Sequence, residues 1–216
     1  MPKWRFPDPE RADAEGLVAV GGDLRPERLL DAYRRGIFPF FDETTPVLWW
    51  SPDPRAIFEM NGLRVSRRLA RTIRSGRFGV TLDRDFEGVI RGCARGPEEG
   101  VWITADMVAA YTELHRLGHA HSVEVWHDGE LAGGVYGVTA GGLFAGESMF
   151  TRVTDASKVA LAHLMDHLRR RGYVLFDVQF LNPHTASLGA VEIPRKDYLA
   201  RLRAAVRLPV TFGPVD

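Results

Sequence analysis

The 216-residue chain is 45% apolar and carries 28 basic and 28 acidic residues, so it has enough apolar side chain for a full core and a formal net charge of zero that singles out no partner. A single cysteine, Cys93, excludes a disulfide framework and a cysteine-based zinc cluster. The opening MPKWRFPDPERAD lacks the apolar stretch of a secretory signal, and no apolar run approaches the roughly 18 residues that cross a bilayer, so a cytoplasmic protein without a membrane anchor is expected.

Residues 1–61 are dense in aromatics, proline and glycine and read as a small α+β domain. One helix fits there, at 26–35, with Pro26 in its first turn and Gly36 as its stop. Loops and short strands pinned by Phe38, Phe40, Phe41, Trp49 and Trp50 account for the rest. From residue 62 to 216 the periodicity becomes regular. A basic helix spans 64–75, with Val65, Leu69 and Ile73 at i, i+4 and i+8. A second helix follows Asp83, using Phe86, Val89, Ile90 and Cys93, and a third starts at an N-cap, Thr104, with Met107, Tyr111 and Leu114 on one face. Strands then follow at 121–127 and 130–138 around an Asp128-Gly129 hairpin turn, and at 143–150 after Gly141-Gly142. A helix at 155–171, a buried-type strand at 173–180 and a helix at 195–206 complete the chain. This order of strands and helices resembles the acyltransferase fold of the GCN5-related N-acetyltransferase superfamily.

Little of the chemistry-bearing sequence matches a common cofactor pattern. There is no P-loop and no G-x-G-x-x-G. His163 and His167 stand at i, i+4, but Leu164 follows where a zinc hydrolase has glutamate. His119 and His121 open a strand, and no metal ligands are assigned. Asp177 and Gln179 are different: they are polar at i, i+2 within Tyr-Val-Leu-Phe-Asp-Val-Gln-Phe, so they share a face of an apolar strand. A buried carboxylate must be paired or used, which leaves a structural hydrogen-bond pair and a catalytic pair as equal readings of the residues alone.

An ordered set of segments decides between them. It comprises Leu-Val-Ala-Val-Gly-Gly-Asp-Leu at 17–24, Gly-Ile-Phe-Pro-Phe at 36–40, Leu-Trp-Trp-Ser-Pro-Asp-Pro-Arg at 48–55 and Ala-His-Ser-Val-Glu at 120–124. Gly-Glu-Ser-Met-Phe at 146–150, Ala-Ser-Lys at 156–158, Phe-Asp-Val-Gln at 176–179, Asn182, His184, Ser-Leu-Gly-Ala at 187–190 and Glu-Ile-Pro-Arg at 192–195 continue it. In this order the set resembles the bacterial leucyl/phenylalanyl-tRNA–protein transferases, from about Leu17 to Leu202. Arg25 stands where a helix-capping serine or threonine is usual, Phe40 where tryptophan is common, and Ala145 and Val178 where some members have cysteine.

The resemblance implies that leucine, phenylalanine or methionine passes from aminoacyl-tRNA to the α-amine of a protein beginning with arginine or lysine, creating a destabilising N-terminus. The ester is already activated, so no cofactor is implied, and nothing in the sequence demands more than a monomer. It further implies that Asp177 polarises Gln179, whose side-chain oxygen either accepts a proton from the amine or positions the amine while water takes the proton. Glu147 is assigned to the cationic acceptor or a ribose hydroxyl. Trp49 and Trp102 are expected to stack on the terminal adenine, with Trp50 in the core. The transferred side chain lacks branching at Cβ, and Phe144, Met149, Leu161 and Leu164 are candidates for its apolar pocket.

Two other readings compete. A coenzyme A-dependent N-acetyltransferase on the same fold calls for a glycine-rich pyrophosphate loop, but the connection 150–158 has no glycine. A non-catalytic RNA-binding module leaves the Asp177/Gln179 pair without a use. All but three of the basic residues are arginine, and no acid occurs from Met60 to Leu82. Arg67, Arg71 and Arg74 fall on one flank of the helix at 64–75, where like charges repel unless phosphates lie across them, and are assigned to the tRNA backbone. Arg169, Arg170 and Arg171 are the second choice.

Overall fold

A computed structural model describes residues 5–94 and 103–213. Trp102, assigned to adenine stacking, lies outside the described residues. Near the N-terminus, β1 (Leu17–Val20), β3 (Leu48–Trp50) and β2 (Phe38–Pro39) form an antiparallel sheet in the order β1-β3-β2. Helix α1 (Pro26–Arg34) connects the first two in sequence. Pro26 occupies its first turn, and Arg25 makes no side-chain cap bond. Gly36 ends it at φ +77°, a conformation that suits glycine.

The larger sheet has seven strands. In chain order these are β4 (Arg55–Phe58), β5 (Gly79–Leu82), β6 (Ala120–His127), β7 (Glu130–Ala140), β8 (Leu143–Thr151), β9 (Leu175–Gln179) and β10 (Val191–Ile193). Their spatial order is β10-β4-β9-β8-β7-β6-β5. Every pair is antiparallel except β8 and β9. Thus β4, which a boundary at 61 places in the first domain, is an interior strand of the second sheet. The expected break near Gly62 does not coincide with a break in packing.

Among the described residues, six more α-helices accompany the sheet: α2 (Arg67–Arg74), α3 (Phe86–Cys93), α4 (Ala105–Arg116), α5 (Ala156–Arg171), α6 (Pro183–Ser187) and α7 (Arg195–Ala205). Alternation along the strands divides the apolar side chains between two cores. Leu143, Ala145, Leu175, Tyr136 and Ile57 join α1, α3, α4 and α7, together with Trp49 of the small sheet. Phe144, Phe176, Val135 and Phe58 join α2 and α5. The mixed α+β fold is the one expected.

Several boundaries differ from the periodicity. Helix α2 begins at Arg67, because the Ser66 hydroxyl caps it by accepting from the Leu69 N–H at 3.1 Å. Val65 precedes the cap and is 42% exposed rather than core-facing. Strands β5 and β10 and helix α6 are additional elements. Thr104 caps α4 as expected, accepting from the Met107 N–H at 3.2 Å.

Candidate active site

Strands β8 and β9 run side by side for only three residue pairs, ending at Ala145↔Asp177. Beyond that point they part, and a cavity of about 1020 Å³ opens between them. The β7/β8 register shifts at the same place, from Tyr136↔Ser148 to Gly137↔Gly146, so Glu147 is the extra residue of a β-bulge. A bulge re-aims a side chain next to a site, and Glu147 lines the cavity. Glycine is required beside it: a Cβ on Gly137 would lie 2.3 Å from the Ala145 carbonyl oxygen.

Gln179 ends β9 with φ +58°, a costly backbone state for a residue with a Cβ. Asp177 holds it there. Its Oδ1 accepts the Gln179 backbone N–H at 3.0 Å. Arg55, entering from neighbouring β4, donates from Nε to Asp177 Oδ1 at 2.8 Å and from Nη2 to Oδ2 at 2.6 Å. The Tyr198 hydroxyl of α7 adds a bond to Oδ2 at 2.8 Å. Arg55 is sandwiched within 4.8 Å of the Phe38 ring centre and 4.4 Å of that of Tyr198, and also donates to the Gly36 carbonyl. Burial works against the guanidinium charge, but the Asp177 carboxylate, Tyr198 and Glu147 together outweigh it, so Arg55 is held above its ordinary pKa.

Asp177 therefore reaches Gln179 through the backbone, not through the side-chain amide as the polarisation scheme requires. The Gln179 amide points elsewhere: Nε2 donates to Glu147 Oε1 at 3.1 Å. Its oxygen has no hydrogen-bond partner among the described residues, and Gln179 lines the cavity. Glu147 Oε2 accepts from the Tyr111 hydroxyl at 3.3 Å, and Tyr111 is bonded to the Tyr33 hydroxyl behind it. Burial pushes the Glu147 carboxyl up to about 8; the Tyr33 hydroxyl pulls it down, and the Asp177 charge pushes it further up.

The other expected site residues separate into two groups. Met149 and Leu161 line the cavity, with Val135, Phe150 and Phe176. Phe144 and Leu164 do not: at 1% and 0% exposure they are core, Phe144 packed edge-on to Phe176. The two tryptophans are placed differently from the expectation. Trp49 is 1% exposed, packs edge-on to Phe6, and spends its indole N–H on the Gly21 carbonyl. Such a ring has no face to offer a base. Trp50 is partly exposed and donates to the Phe40 carbonyl at 2.7 Å. Phe40 itself lines the cavity, 41% exposed and edge-on to Phe180.

Sequence reasoning passed over Arg55, Tyr33, Tyr111 and Tyr198. The signal for Arg55 was present, since an arginine opens the apolar run Ala-Ile-Phe. Arg67, Arg71 and Arg74 are exposed on α2, away from the Glu147–Gln179 pair in sequence and outside the cavity lining. His167 is buried against Phe212 and bonds to its carbonyl. Asp83, His115 and His121 converge, but their ring nitrogens are already engaged: His121 Nδ1 is hydrogen-bonded to Asp83 Oδ2 at 2.7 Å and His115 Nδ1 to the Ala120 carbonyl at 2.8 Å.

Comparison with known proteins supplies the family. The model for the leucyl/phenylalanyl-tRNA protein transferase matches residues 57–203, and that for its N-terminal domain matches residues 22–53. The leucyl/phenylalanyl-tRNA–protein transferase of Solidesulfovibrio magneticus is 56% identical over 203 residues, covering 93% of this chain and 82% of that protein. Those of an Anaeromyxobacter species and of Escherichia coli O1:K1 are each 54% identical, over 98% and 96% of this chain and 91% and 90% of theirs. Among solved structures, a GCN5-related N-acetyltransferase from Kribbella flavida is similar with a TM-score of 0.41 and 10% identity, covering 76% of this chain and 58% of that one. The chain belongs to the leucyl/phenylalanyl-tRNA protein transferase family.

Proposed function

We propose that this protein is an aminoacyltransferase that moves leucine or phenylalanine, and also methionine, from aminoacyl-tRNA to the N-terminal α-amine of proteins beginning with arginine or lysine. The observation that carries this reading is the Glu147–Gln179 hydrogen bond in the lining of a large cavity, in a chain of this family.

The amine nitrogen attacks the ester carbonyl carbon, the C–N bond forms, and the ribose oxygen leaves with a proton. An α-amine has a pKa of about 7.7–8.0, so much of it arrives as ammonium. The Gln179 side-chain oxygen accepts a hydrogen bond from that amine and orients it. Glu147, its carboxyl raised to about 8, takes the surplus proton through its ionised fraction, which grows as pH approaches 8; an amide oxygen is too weak a base to do so. Asp177 and Arg55 act through the backbone of Gln179 and are positioning residues. Placing two bound substrates together supplies most of the acceleration.

Met149 and Leu161 hold the unbranched apolar side chain, with Phe176 in place of the core residues Phe144 and Leu164. Phe40 takes the stacking role that buried Trp49 cannot, and Trp102 retains its assignment from the family resemblance. Arg67, Arg71 and Arg74 contact the tRNA backbone. The protein works as a monomer in the cytoplasm, where its product carries a destabilising terminus that marks it for degradation. Among the described residues no helix is long and apolar enough to cross a membrane.

The test is a choice of donor. Offered an arginine-initiated peptide, the protein is expected to use phenylalanyl-tRNA and to ignore acetyl-coenzyme A, without ATP or added metal. Acetyl transfer would overturn the reading in favour of an N-acetyltransferase.

A further inference from the structure

A second cavity, of about 320 Å³, lies beside the first and is lined by Arg64, Ser66 and Arg68 at the start of α2, Asp155 and Lys158 at the start of α5, and Ser187 at the end of α6. The two cavities adjoin along the chain at two places. Ser157 lines the first and Lys158 the second, and α6 contributes Pro183–Thr185 to the first and Ser187 to the second. Three cations face one carboxylate. That carboxylate, Asp155, is bonded to Arg68 Nη2 at 2.9 Å and to Lys158 Nζ at 3.4 Å, and is itself mostly buried. It draws both cations to the cavity wall without cancelling the site. The Arg64 guanidinium has no hydrogen-bond partner among the described residues. Ser66 uses its oxygen as the cap of α2, which leaves its O–H to donate. Ala156 donates its N–H to the Val153 carbonyl and Asp155 makes no side-chain cap bond to α5, so the N–H groups of Ser157 and Lys158 add positive potential at the same edge.

An anion bounded by several fixed donors is the occupant this chemistry fits. We propose that the second cavity holds the internucleotide phosphate adjoining the terminal adenosine of the aminoacylated RNA. The assignment rests on the function proposed above. If the terminal nucleoside and its ester occupy the first cavity, the polynucleotide leaving past the first turn of α5 meets the second cavity next. This places a donor contact far closer to the chemistry than Arg67, Arg71 and Arg74, which lie on the exposed flank of α2.

The experiment compares two small donors, phenylalanyl-adenosine and phenylalanyl-cytidylyl-adenosine, which differ by one nucleotide and its phosphate. For the wild type, kcat/KM with the dinucleotide is expected to exceed that with the nucleoside about tenfold or more, the scale of hydrogen bonds to a charged group. Raising salt should shrink that ratio with a slope of about 0.7 in log–log form, the single-strand value for one phosphate. In Arg64→Ala, Lys158→Ala and the double variant the ratio is expected to fall toward one. Because the ratio is read within each variant, a general loss of folding or chemistry cancels. Arg64→Lys should restore part of it. A wild-type ratio near one, or variants that keep the full ratio and its salt slope, overturns the assignment while nucleoside transfer upholds the proposed function. No transfer from either donor removes both.

Discussion

Arg55 and Asp177, 122 residues apart, form a two-pronged ion pair across adjacent strands β4 and β9, and both side chains are 1% exposed. The carboxylate so held fixes Gln179 in its left-handed backbone state. Removing one partner leaves a buried charge unpaired, which costs about 3–5 kcal/mol. Arg55→Met is therefore expected to lower unfolding stability by that amount in urea titration. Asp177→Ala and Gln179→Ala, where folded, are expected to slow single-turnover transfer about 10²-fold, the scale of positioned acid–base groups, while tRNA binding persists. Near-wild-type rates in both would remove the pair from the mechanism.

Glu147 makes stability depend on pH in a definite direction. Its folded pKa is raised to about 8 from 4.5, so the native state binds more protons than the unfolded chain between those values. Stability from this group is therefore complete below pH 4.5, falls as pH rises and levels off above 8. Glu147→Gln removes that dependence. Measured by chemical denaturation, the variant should gain on the wild type steadily from pH 5 to 8. A constant difference across that range would show that the carboxyl titrates normally.

The exchange of roles between Phe40 and Trp49 separates two kinds of damage. Phe40→Ala is expected to weaken binding of an aminoacyl-adenosine fragment by about 1–3 kcal/mol, the worth of one base–aromatic stack, with little change in melting. Trp49→Ala should instead cost about 3–5 kcal/mol of fold stability through a core cavity. Fragment calorimetry and thermal melts distinguish them. Full fragment affinity in Phe40→Ala would return the adenine to another surface.

Replacing Arg67, Arg71 and Arg74 together should weaken tRNA binding and flatten log affinity against log salt by roughly 0.7–0.9 per lost contact. Transfer from an aminoacyl-adenosine donor, too short to reach α2, is the control. An unchanged salt slope would move the tRNA path to another face.

Local pattern carried most of the elements but not their partners. The cap at Thr104, the first-turn proline Pro26 and the hairpin at Asp128-Gly129 are written within a few residues, and the structure follows them. The membership of β4 in the second sheet depends on pairing with β9, more than a hundred residues later, which periodicity cannot see. The burial of Trp49 is not legible in the sequence, because Leu-Trp-Trp has no polar residue to mark the outer face. Phe144 and Met149 are five apart, which in a regular strand puts them on opposite faces. The extra residue at Glu147 brings both to one side, with Phe144 in the core and Met149 at the cavity. Asp177 and Gln179 stand out in the sequence because they interrupt an apolar strand. Their actual link runs through a backbone N–H, which a pattern of side chains does not mark.

The most direct test of the central claim is the choice of acceptor. Peptides beginning with arginine, lysine or alanine are incubated with the protein and phenylalanyl-tRNA, and the products are sequenced by mass spectrometry. One phenylalanine joined by an amide bond to the α-amine of the arginine and lysine peptides, and none on the alanine peptide, is the expected result. Equal transfer to all three, or none to any, would contradict the account.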